Sequence, residues 1–233
     1  MNHFQQIYAN EATTYDRLVA AEDAHGELAE QLGRVAGAAT TIVDIGTGTG
    51  RLAIPLCGDE KQVHGVDVAQ AMLDVAAAKL EGCSGQWALS VGDARELPID
   101  DGWADAAIAG WVYGHFTEFW PATWKADLDQ AVSEMDRVVK PNGIEVVIDT
   151  LGTAAREPAA PTPQLAEYHA RLEEIGFART VLRTDYRFTS VEESIELLDW
   201  FFGLGAWAEQ HRNTLVPEFT GWWERRNPTA GDT

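Results

Sequence analysis

The sequence is short of positive charge, and this shortage limits the partners that it can have. Seventeen lysine and arginine residues stand against 37 aspartate and glutamate residues, which gives a formal net charge of −20, and only four of the basic residues are lysine. Binding to phosphate groups depends on clustered Lys and Arg, so nucleic acid and anionic membranes are disfavoured as partners. We interpret the acidity as a solubility trait, as in an organism that lives in salt, rather than as a surface that recruits a cationic partner.

Cysteine and long apolar runs are also scarce. The two cysteines, Cys57 and Cys83, are far apart, and the six histidines are scattered, so no metal-ligand spacing is present and we expect no metal site. We interpret both cysteines as buried or incidental thiols in a reducing cytoplasm. No apolar run is long enough to span a bilayer, and the N-terminus lacks the basic and apolar segments of a secretory signal. We therefore expect a cytoplasmic protein without a membrane partner.

A glycine-rich turn is the most informative stretch of the chain. Residues 42–50 read Ile-Val-Asp-Ile-Gly-Thr-Gly-Thr-Gly, and a helix can begin directly after them. A buried strand, a tight turn and a helix in this order are typical of α/β nucleotide-type folds. Glycine permits positive φ and lets a ligand approach the backbone closely. A dinucleotide fingerprint would have glycine or alanine at position 51, so Arg51 argues against a pyrophosphate cradle.

Two acidic residues follow the next two strands. The apolar residues 63–66 end at Asp67, where folds of this kind bind the hydroxyls of a ribose. Residues 87–91 run into Gly92-Asp93-Ala94, which places another carboxylate at the same edge of the sheet, within reach of a donor such as the adenine amine. Either residue could instead cap a helix or lie in a loop, but their order behind the glycine turn favours ligand binding.

These motifs together resemble those of the class I S-adenosylmethionine-dependent methyltransferases, over roughly residues 10–150. Residues 44–50 are similar to the first motif of that family, Asp67 to its ribose-binding acid, and Asp93-Ala94 to its adenine-binding pair. Residues 135–143 resemble the turn before its fifth strand, with Asn142 at a position where glycine is common; asparagine also tolerates the left-handed conformation. Tyr15-Asp16 resembles the branch that includes quinone-biosynthesis and other small-molecule methyltransferases.

The resemblance implies S-adenosylmethionine as the cofactor and a set of residues that hold it. The implied cofactor-binding residues are Tyr15, Asp44, Gly46, Thr47, Gly48, Gly50, Asp67, Val68, Met72, Asp93, Ala94 and Trp111. Asp44 could instead orient the glycine turn through backbone amides and help the cofactor only indirectly.

Residues 110–115, Gly-Trp-Val-Tyr-Gly-His, follow the fourth strand, where this family brings the methyl group to its acceptor. The Asn or Asp, Pro-Pro and aromatic sequence of enzymes that methylate base amines is absent there, which removes support for a nucleic-acid substrate. We predict His115 as a general base and Tyr113 as a second catalytic residue, since an imidazole with a pKa near neutrality suits proton removal. The alternatives are that His115 only positions its neighbours and that Trp111 or Tyr113 is ordinary packing.

The alternation of strands and helices predicts one α/β domain with a Rossmann-like class I methyltransferase fold: a mostly parallel seven-stranded sheet, helices on both faces and an added helical lid. Within residues 1–233 we expect an N-terminal helical cap (1–40, helical from 10 to 38), a cofactor-binding half (41–150) and a substrate-side half (151–233). Within the substrate-side half we expect a strand at 177–188 and a final strand at 213–222. Between them we expect an insertion at 190–211 that contains one helix, at 190–208. The hydrophobic helix around residues 200–204, with the loop 158–163, is expected to close over the acceptor.

The sequence thus predicts a cytoplasmic enzyme that transfers a methyl group from S-adenosylmethionine to a small-molecule acceptor by in-line displacement. A non-catalytic cofactor-binding or regulatory protein is the main alternative, and a nicotinamide-dependent oxidoreductase is disfavoured by Arg51. The identity of the acceptor, the atom that is methylated, the use of a base and the oligomeric state are left open.

Overall fold

The fold is built on one seven-stranded sheet. The structure is a computed structural model that describes residues 2–228, so Met1 and residues 229–233 of the predicted segments lie outside it. The strand order is β3-β2-β1-β4-β5-β9-β6, with β9 antiparallel to β5 and β6 and the other neighbouring pairs parallel. Its strands are β1 (Thr41–Ile45), β2 (Gln62–Asp67), β3 (Gln86–Val91), β4 (Ala104–Gly110), β5 (Val139–Thr153), β6 (Ala178–Arg183) and β9 (Glu218–Arg226). A separate pair consists of β7 (Tyr186–Arg187) and β8 (Leu215–Val216).

Helices cover both faces of the sheet and form its two cores. The α-helices are α1 (His3–Asn10), α2 (Ala12–Ala20), α3 (Glu27–Ala38), α4 (Ala53–Leu56), α5 (Gln70–Leu80), α6 (Phe116–Phe119), α7 (Trp124–Val138), α8 (Pro163–Glu174), α9 (Val191–Phe202) and α10 (Gly205–His211). On one face α7 and α8 pack against the central strands around Leu128 and Tyr168. On the other face α3 and α4 do so around Leu32 and Leu56. The predicted mostly parallel seven-stranded α/β fold is therefore confirmed.

The added helices have a small core of their own. Leu197 and Leu198 of α9 pack with Tyr186, Phe188 and Leu18. The last of these belongs to α2, so the N-terminal helices and the insertion share one apolar cluster. This cluster attaches the two additions to each other at the edge of the sheet where the parallel strands end.

Several predicted elements are divided in the structure. The single helix expected over 10–38 is two helices, α2 and α3, separated by residues 21–26, of which Gly26 has positive φ. A further helix, α1, precedes them and is separated from α2 by Glu11 (φ −128°). The strand expected over 177–188 is β6 and β7, and the final strand expected over 213–222 is β8 and β9. The helix expected over 190–208 ends at Gly203, whose left-handed conformation caps α9 before α10 begins.

The prediction that the cysteines are free thiols is wrong. Cys57 and Cys83 form a disulfide, with their Cα atoms 6.1 Å apart. The physical reason is the topology: Cys57 lies before β2 and Cys83 before β3, and parallel neighbours bring their preceding loops to the same edge of the sheet. Sequence separation alone does not reveal this proximity.

Within the described part of the chain, no helix combines the length and the apolar character that crossing a bilayer requires.

Candidate functional site

The carboxyl ends of β1, β2, β3 and β4 open into one large cavity, the position at which open α/β sheets bind ligands. Its volume, counted together with the part that is open to solvent, is about 780 Å³. Its lining residues are Tyr8, Tyr15, Ile45, Gly46, Gly48, Val66, Asp67, Val68, Met72, Gly92, Asp93, Ala94, Gly110, Trp111, Val112, His115, Phe116, Phe119 and Trp120. Most of the predicted site residues are among them, whereas Asp44, Thr47, Gly50 and Tyr113 are not.

The glycine turn presents bare backbone to the cavity. Gly46, Gly48 and Gly50 all have positive φ. A Cβ on Gly46 would lie 2.1 Å from the Val112 side chain, so that position is closed to other residues, whereas a Cβ on Gly48 would meet nothing nearer than 3.9 Å. Gly48 therefore leaves room for a ligand beside the chain, and Gly50 instead permits close packing of the turn on Ala76 of α5.

Asp44 and Thr47 stabilise this turn from its buried side, away from the cavity. The Thr47 hydroxyl donates to Asp44 Oδ2 at 2.6 Å, and both side chains are buried. Burial raises the pKa of Asp44 to about 7 despite that hydrogen bond. The two residues do not reach the cavity, so the structure favours the indirect role for Asp44 that the sequence left open, and it gives Thr47 the same role.

Asp67 lies at the end of β2 with its carboxylate facing the cavity. Its Oδ2 accepts from the Gly48 amide at 2.9 Å and its Oδ1 from the Ala69 amide at 2.8 Å. A carboxylate has about four acceptor sites, so two sites stay available for the hydroxyls of a ribose. Val68 and Met72 line the cavity beside it and supply apolar walls for a planar base.

Asp93 reaches the cavity, but its carboxylate is already paired. Arg95 Nε lies 2.9 Å from Oδ1 and Arg95 Nη2 lies 2.7 Å from Oδ2, and this pairing holds the pKa of Asp93 below its usual range. Arg95 also binds Asp127 and stacks over the ring of Trp120. The adenine-binding role predicted for Asp93 therefore falls to acceptor sites that Arg95 leaves free, with Ala94 beside them.

At the other end of the cavity, His115 lies against Tyr8. The Tyr8 hydroxyl is 2.8 Å from His115 Nε2, and the imidazole stacks on Phe119 with ring centroids 5.0 Å apart. Burial lowers the pKa of His115 to about 4, not the near-neutral value expected from the sequence, and it raises the pKa of Tyr8. Both groups are therefore uncharged at neutral pH. Tyr15 packs edge-on against Tyr8 and completes this wall.

Sequence interpretation missed Tyr8. The signal was present, because Phe4 and Tyr8 are four residues apart on a helix and so share one face. Nothing in the sequence shows that this face turns toward His115 rather than toward solvent.

The structure does not bring Tyr113 to the site. Its ring is fully buried and its hydroxyl donates to the carbonyl of Ala131 in α7. A 3₁₀ turn over Tyr113–His115 points the first of these side chains into the core and the last into the cavity. The prediction of a catalytic Tyr113 is therefore replaced by a packing role, which the sequence had allowed for.

The helix predicted to act as a lid packs against the N-terminal helices and does not itself line the cavity. Phe201 of α9 packs against Phe4 and Tyr15, and Trp200 Nε1 donates to Glu11 at 3.0 Å. The loop 158–163 is tied back to β5 through the Ala159 amide and the Leu151 carbonyl. Closure of these segments over an acceptor stays a prediction.

Part of the chain is similar in sequence to known methyltransferases. Residues 42–143 match the family model described as a methyltransferase domain. A demethylmenaquinone methyltransferase of Desulfitobacterium hafniense is 35% identical over 114 residues, which cover 47% of this chain and 42% of that protein. The biotin biosynthesis bifunctional protein of Saccharophagus degradans is 32% identical over 146 residues, which cover 62% of this chain and 24% of that protein. The chain thus spans less than half the length of these curated relatives.

A solved structure of Haemonchus contortus phosphoethanolamine N-methyltransferase 2, in complex with S-adenosyl-L-methionine, has the same fold. It superposes with a TM-score of 0.60 and 16% identity, covering 98% of this chain and 60% of that one. Residues 42–143 are therefore similar in sequence to a methyltransferase domain, and the chain shares the fold of solved methyltransferase structures.

The donor set of the cavity fits the cofactor of this family. A sulfonium cation and two ribose hydroxyls suit a cavity with bare glycine backbone and the Asp67 carboxylate, and no Lys or Arg is among the described residues that line it. A nicotinamide dinucleotide carries a pyrophosphate, which needs glycine amides or cations arranged to receive it. The lining offers no cation, and the Gly48 amide is already bound to Asp67. The lining therefore fits S-adenosylmethionine better than a nicotinamide dinucleotide.

Proposed function

We propose that the protein transfers a methyl group from S-adenosylmethionine to an uncharged small-molecule acceptor that carries a hydroxyl group. The observation that carries this proposal is the Tyr8–His115 pair, which lies in the same cavity as Asp67 and the glycine turn. A protein that only binds the cofactor has no need of a buried proton-accepting pair beside it. When bound, the cofactor supplies an electrophilic methyl group on a positively charged sulfur.

The residues of the cavity divide into two groups by position. Gly46, Gly48 and Asp67 would hold the methionine and ribose parts of the cofactor, and Val68 and Met72 the base. Tyr8 and His115, with Phe119, would contact the acceptor. Apolar walls around both groups exclude water, so alignment of the two reactants supplies much of the rate enhancement.

A neutral His115 can accept a proton from the acceptor through Tyr8. In the tautomer with Nε2 unprotonated, Tyr8 donates to Nε2, and its oxygen can accept from a hydroxyl in the cavity. As the acceptor oxygen formed its bond to the methyl carbon, the carbon–sulfur bond would break and its electron pair would leave on the sulfur. The proton of the acceptor would pass to Tyr8, and the proton of Tyr8 would pass to His115. Because burial keeps the pKa of His115 at about 4, this pair suits a hydroxyl acceptor that is neutral on arrival, not a protonated amine.

The electrostatics of the wall disfavour an anionic acceptor. The nearest guanidinium groups, Arg51 and Arg95, lie behind the rings of Trp111 and Trp120 and are paired with carboxylates. A carboxylate or phosphate acceptor would find no Lys or Arg partner among the described residues that line the cavity. This favours a neutral, flat acceptor and accords with the aromatic wall.

The proposal keeps the division of the chain that the sequence predicted. Residues 41–150 would bind the cofactor, and residues 1–40 and 151–233 would shape the acceptor side. It also keeps the cytoplasm as the place of action. The Cys57–Cys83 disulfide would then have to resist reduction by the thiols of that compartment.

The test combines binding and turnover. Calorimetry with S-adenosylhomocysteine measures cofactor binding, and a screen of phenols, naphthols, carboxylates and amines measures methyl transfer. His115→Ala and Tyr8→Phe should each lower turnover of the best acceptor by roughly a hundredfold and leave S-adenosylhomocysteine affinity within about twofold. His211→Ala, which changes an exposed histidine stacked on Trp207, is the matched control.

Two results contradict the proposal. Binding of S-adenosylhomocysteine with no methylated product across the screen would favour a non-catalytic cofactor-binding protein. Turnover that survives both substitutions would mean that the acceptor needs no base.

A further inference from the structure

Trp111 adopts a backbone conformation that a large residue rarely adopts. Its φ is +55°, in the left-handed region, directly after the last residue of β4 and at the wall of the cavity. A bulky non-glycine residue there is strained and persists only when its surroundings hold it in place. The amide of Trp111 is fixed by the carbonyl of Ile148 at 2.7 Å. The ring needs a separate restraint.

Arg51 supplies that restraint. Its guanidinium carbon lies 3.6 Å from the centre of the Trp111 ring, which is close stacking. The guanidinium is fixed in turn by Glu22, whose Oε2 is 2.7 Å from Nη2 and whose side chain is 2% exposed. Arg51 directly follows Gly50 of the glycine turn, and Glu22 lies just past α2, so one side chain joins the cofactor turn, the N-terminal helices and the loop after β4.

The conformation of Trp111 fixes both ends of the site. The next residue, Val112, fits against Gly46 so closely that a Cβ on that glycine would lie 2.1 Å from it. The carbonyl of Val112 accepts from the amide of His115 at 3.1 Å and so begins the turn that carries the imidazole. A change of backbone at Trp111 would therefore move Val112 off the glycine turn and rotate His115.

We propose that Arg51 is a positioning residue, which holds Trp111 in its left-handed conformation and thereby keeps the cofactor turn and the His115 loop in register. The inference rests on the proposed function, because it takes the cavity to be the cofactor site. It also gives a role to the residue that separates this glycine motif from a dinucleotide fingerprint.

The test places glycine at position 111, so that the loop no longer depends on the stacking of Arg51 on the Trp111 ring. Glycine adopts positive φ without strain, so in a Trp111→Gly background the loop no longer needs Arg51. In both the Trp111 and the Trp111→Gly backgrounds, Arg51→Gln is combined with Glu22→Gln, so that no buried carboxylate is left unpaired. Glu22→Gln alone is the control in each background. S-adenosylhomocysteine affinity is measured by calorimetry well below the melting temperature, with circular dichroism to confirm folding.

In the Trp111 background we expect the paired change to weaken S-adenosylhomocysteine binding at least tenfold relative to Glu22→Gln alone. In the Trp111→Gly background the same change should alter affinity less than twofold. Arg51→Lys, which keeps the charge and the pairing with Glu22 but loses the flat stacking surface, is the second variant and should show the same dependence on background.

An equal loss of S-adenosylhomocysteine affinity in both backgrounds would overturn the inference, since Arg51 would then act without Trp111. Unchanged affinity in both backgrounds would overturn it as well. Failure of the wild-type protein to bind S-adenosylhomocysteine would instead refute the proposed function. A lowered melting temperature with unchanged affinity would reduce Arg51 to a contributor to stability alone.

Discussion

Removal of the Cys57–Cys83 disulfide should destabilise the protein substantially and leave its cofactor site intact. The bond closes a loop of 26 residues. Loop-closure entropy for that length gives about 3.5 kcal/mol at 25 °C. For a chain of this size that corresponds to a fall in melting temperature of roughly 7 to 14 °C.

The position of the bond explains why binding should be spared. The two cysteines precede β2 and β3, whereas Asp67 and Asp93 follow those strands, so the length of a six-residue strand, roughly 20 Å, separates the bond from the cavity. β3 is an edge strand with one neighbour, and Trp87 on it is 36% exposed, so the strand has few other contacts that hold it. Reduction should loosen this edge first.

The assay is chemical unfolding of the wild type and of the Cys57→Ser/Cys83→Ser variant, each with and without a phosphine reductant. Reductant should lower the stability of the wild type to that of the variant and should not affect the variant, while S-adenosylhomocysteine affinity stays within about twofold. Two titratable thiols in the denatured, unreduced wild type would refute the reasoning, as would a melting temperature that reductant leaves unchanged.

Two further outcomes follow from buried and cavity-facing carboxylates. Asp67→Ala should weaken S-adenosylhomocysteine binding by about 1.5 to 3 kcal/mol for each ribose hydrogen bond lost. Calorimetry measures this loss, with Asp59→Ala, which changes an exposed acid, as the control. Unchanged affinity in Asp67→Ala would contradict the ribose assignment. Burial raises the pKa of Asp149 to about 7, so its contribution to stability is present at low pH and is lost as pH rises through 7: about 1.4 kcal/mol between pH 6 and 8. Burial also raises the pKa values of Asp44 and Glu145 to about 7 and that of Glu218 to about 8, so these groups titrate in the same window in both proteins. The difference between the proteins is the test: the melting temperature of Asp149→Asn should fall less between pH 6 and 8 than that of the wild type.

The central sheet was predictable because its signals are local. The glycines at 46, 48 and 50 lie within five residues, and Asp67 and Asp93 lie at or just after the ends of β2 and β3. Asn142 has positive φ near the start of β5, where the pairing of that strand with β4 is irregular. The break at Glu11 has no such signal, since neither glycine nor proline stands there, and the two helices on either side of it both pack against α5. Local patterning therefore gives the sheet more reliably than the attached helices.

The candidate site was predictable only in part, for a similar reason. Strand ends place Asp67 and His115 correctly, because order along the chain fixes the edge of the sheet on which they lie. The rotation of a 3₁₀ turn decides whether Tyr113 or His115 faces the ligand, and no periodicity in Gly-Trp-Val-Tyr-Gly-His encodes it. Tyr8 and the disulfide depend on contacts between segments distant in sequence, which only the folded chain defines.

The covering of the cavity by α1 and α2 has a kinetic consequence. Tyr8 and Tyr15 are both part of the cavity wall, and Phe201 braces Tyr15 from outside. In the proposed reaction, motion of these two helices would affect the exchange of the spent nucleoside for a fresh one. If that motion were slower than the bond-making step, it would set the rate of the whole cycle. Evolution of a faster enzyme from this chain would then begin with the contacts between Phe201 and the N-terminal helices, not with the residues that touch the methyl group.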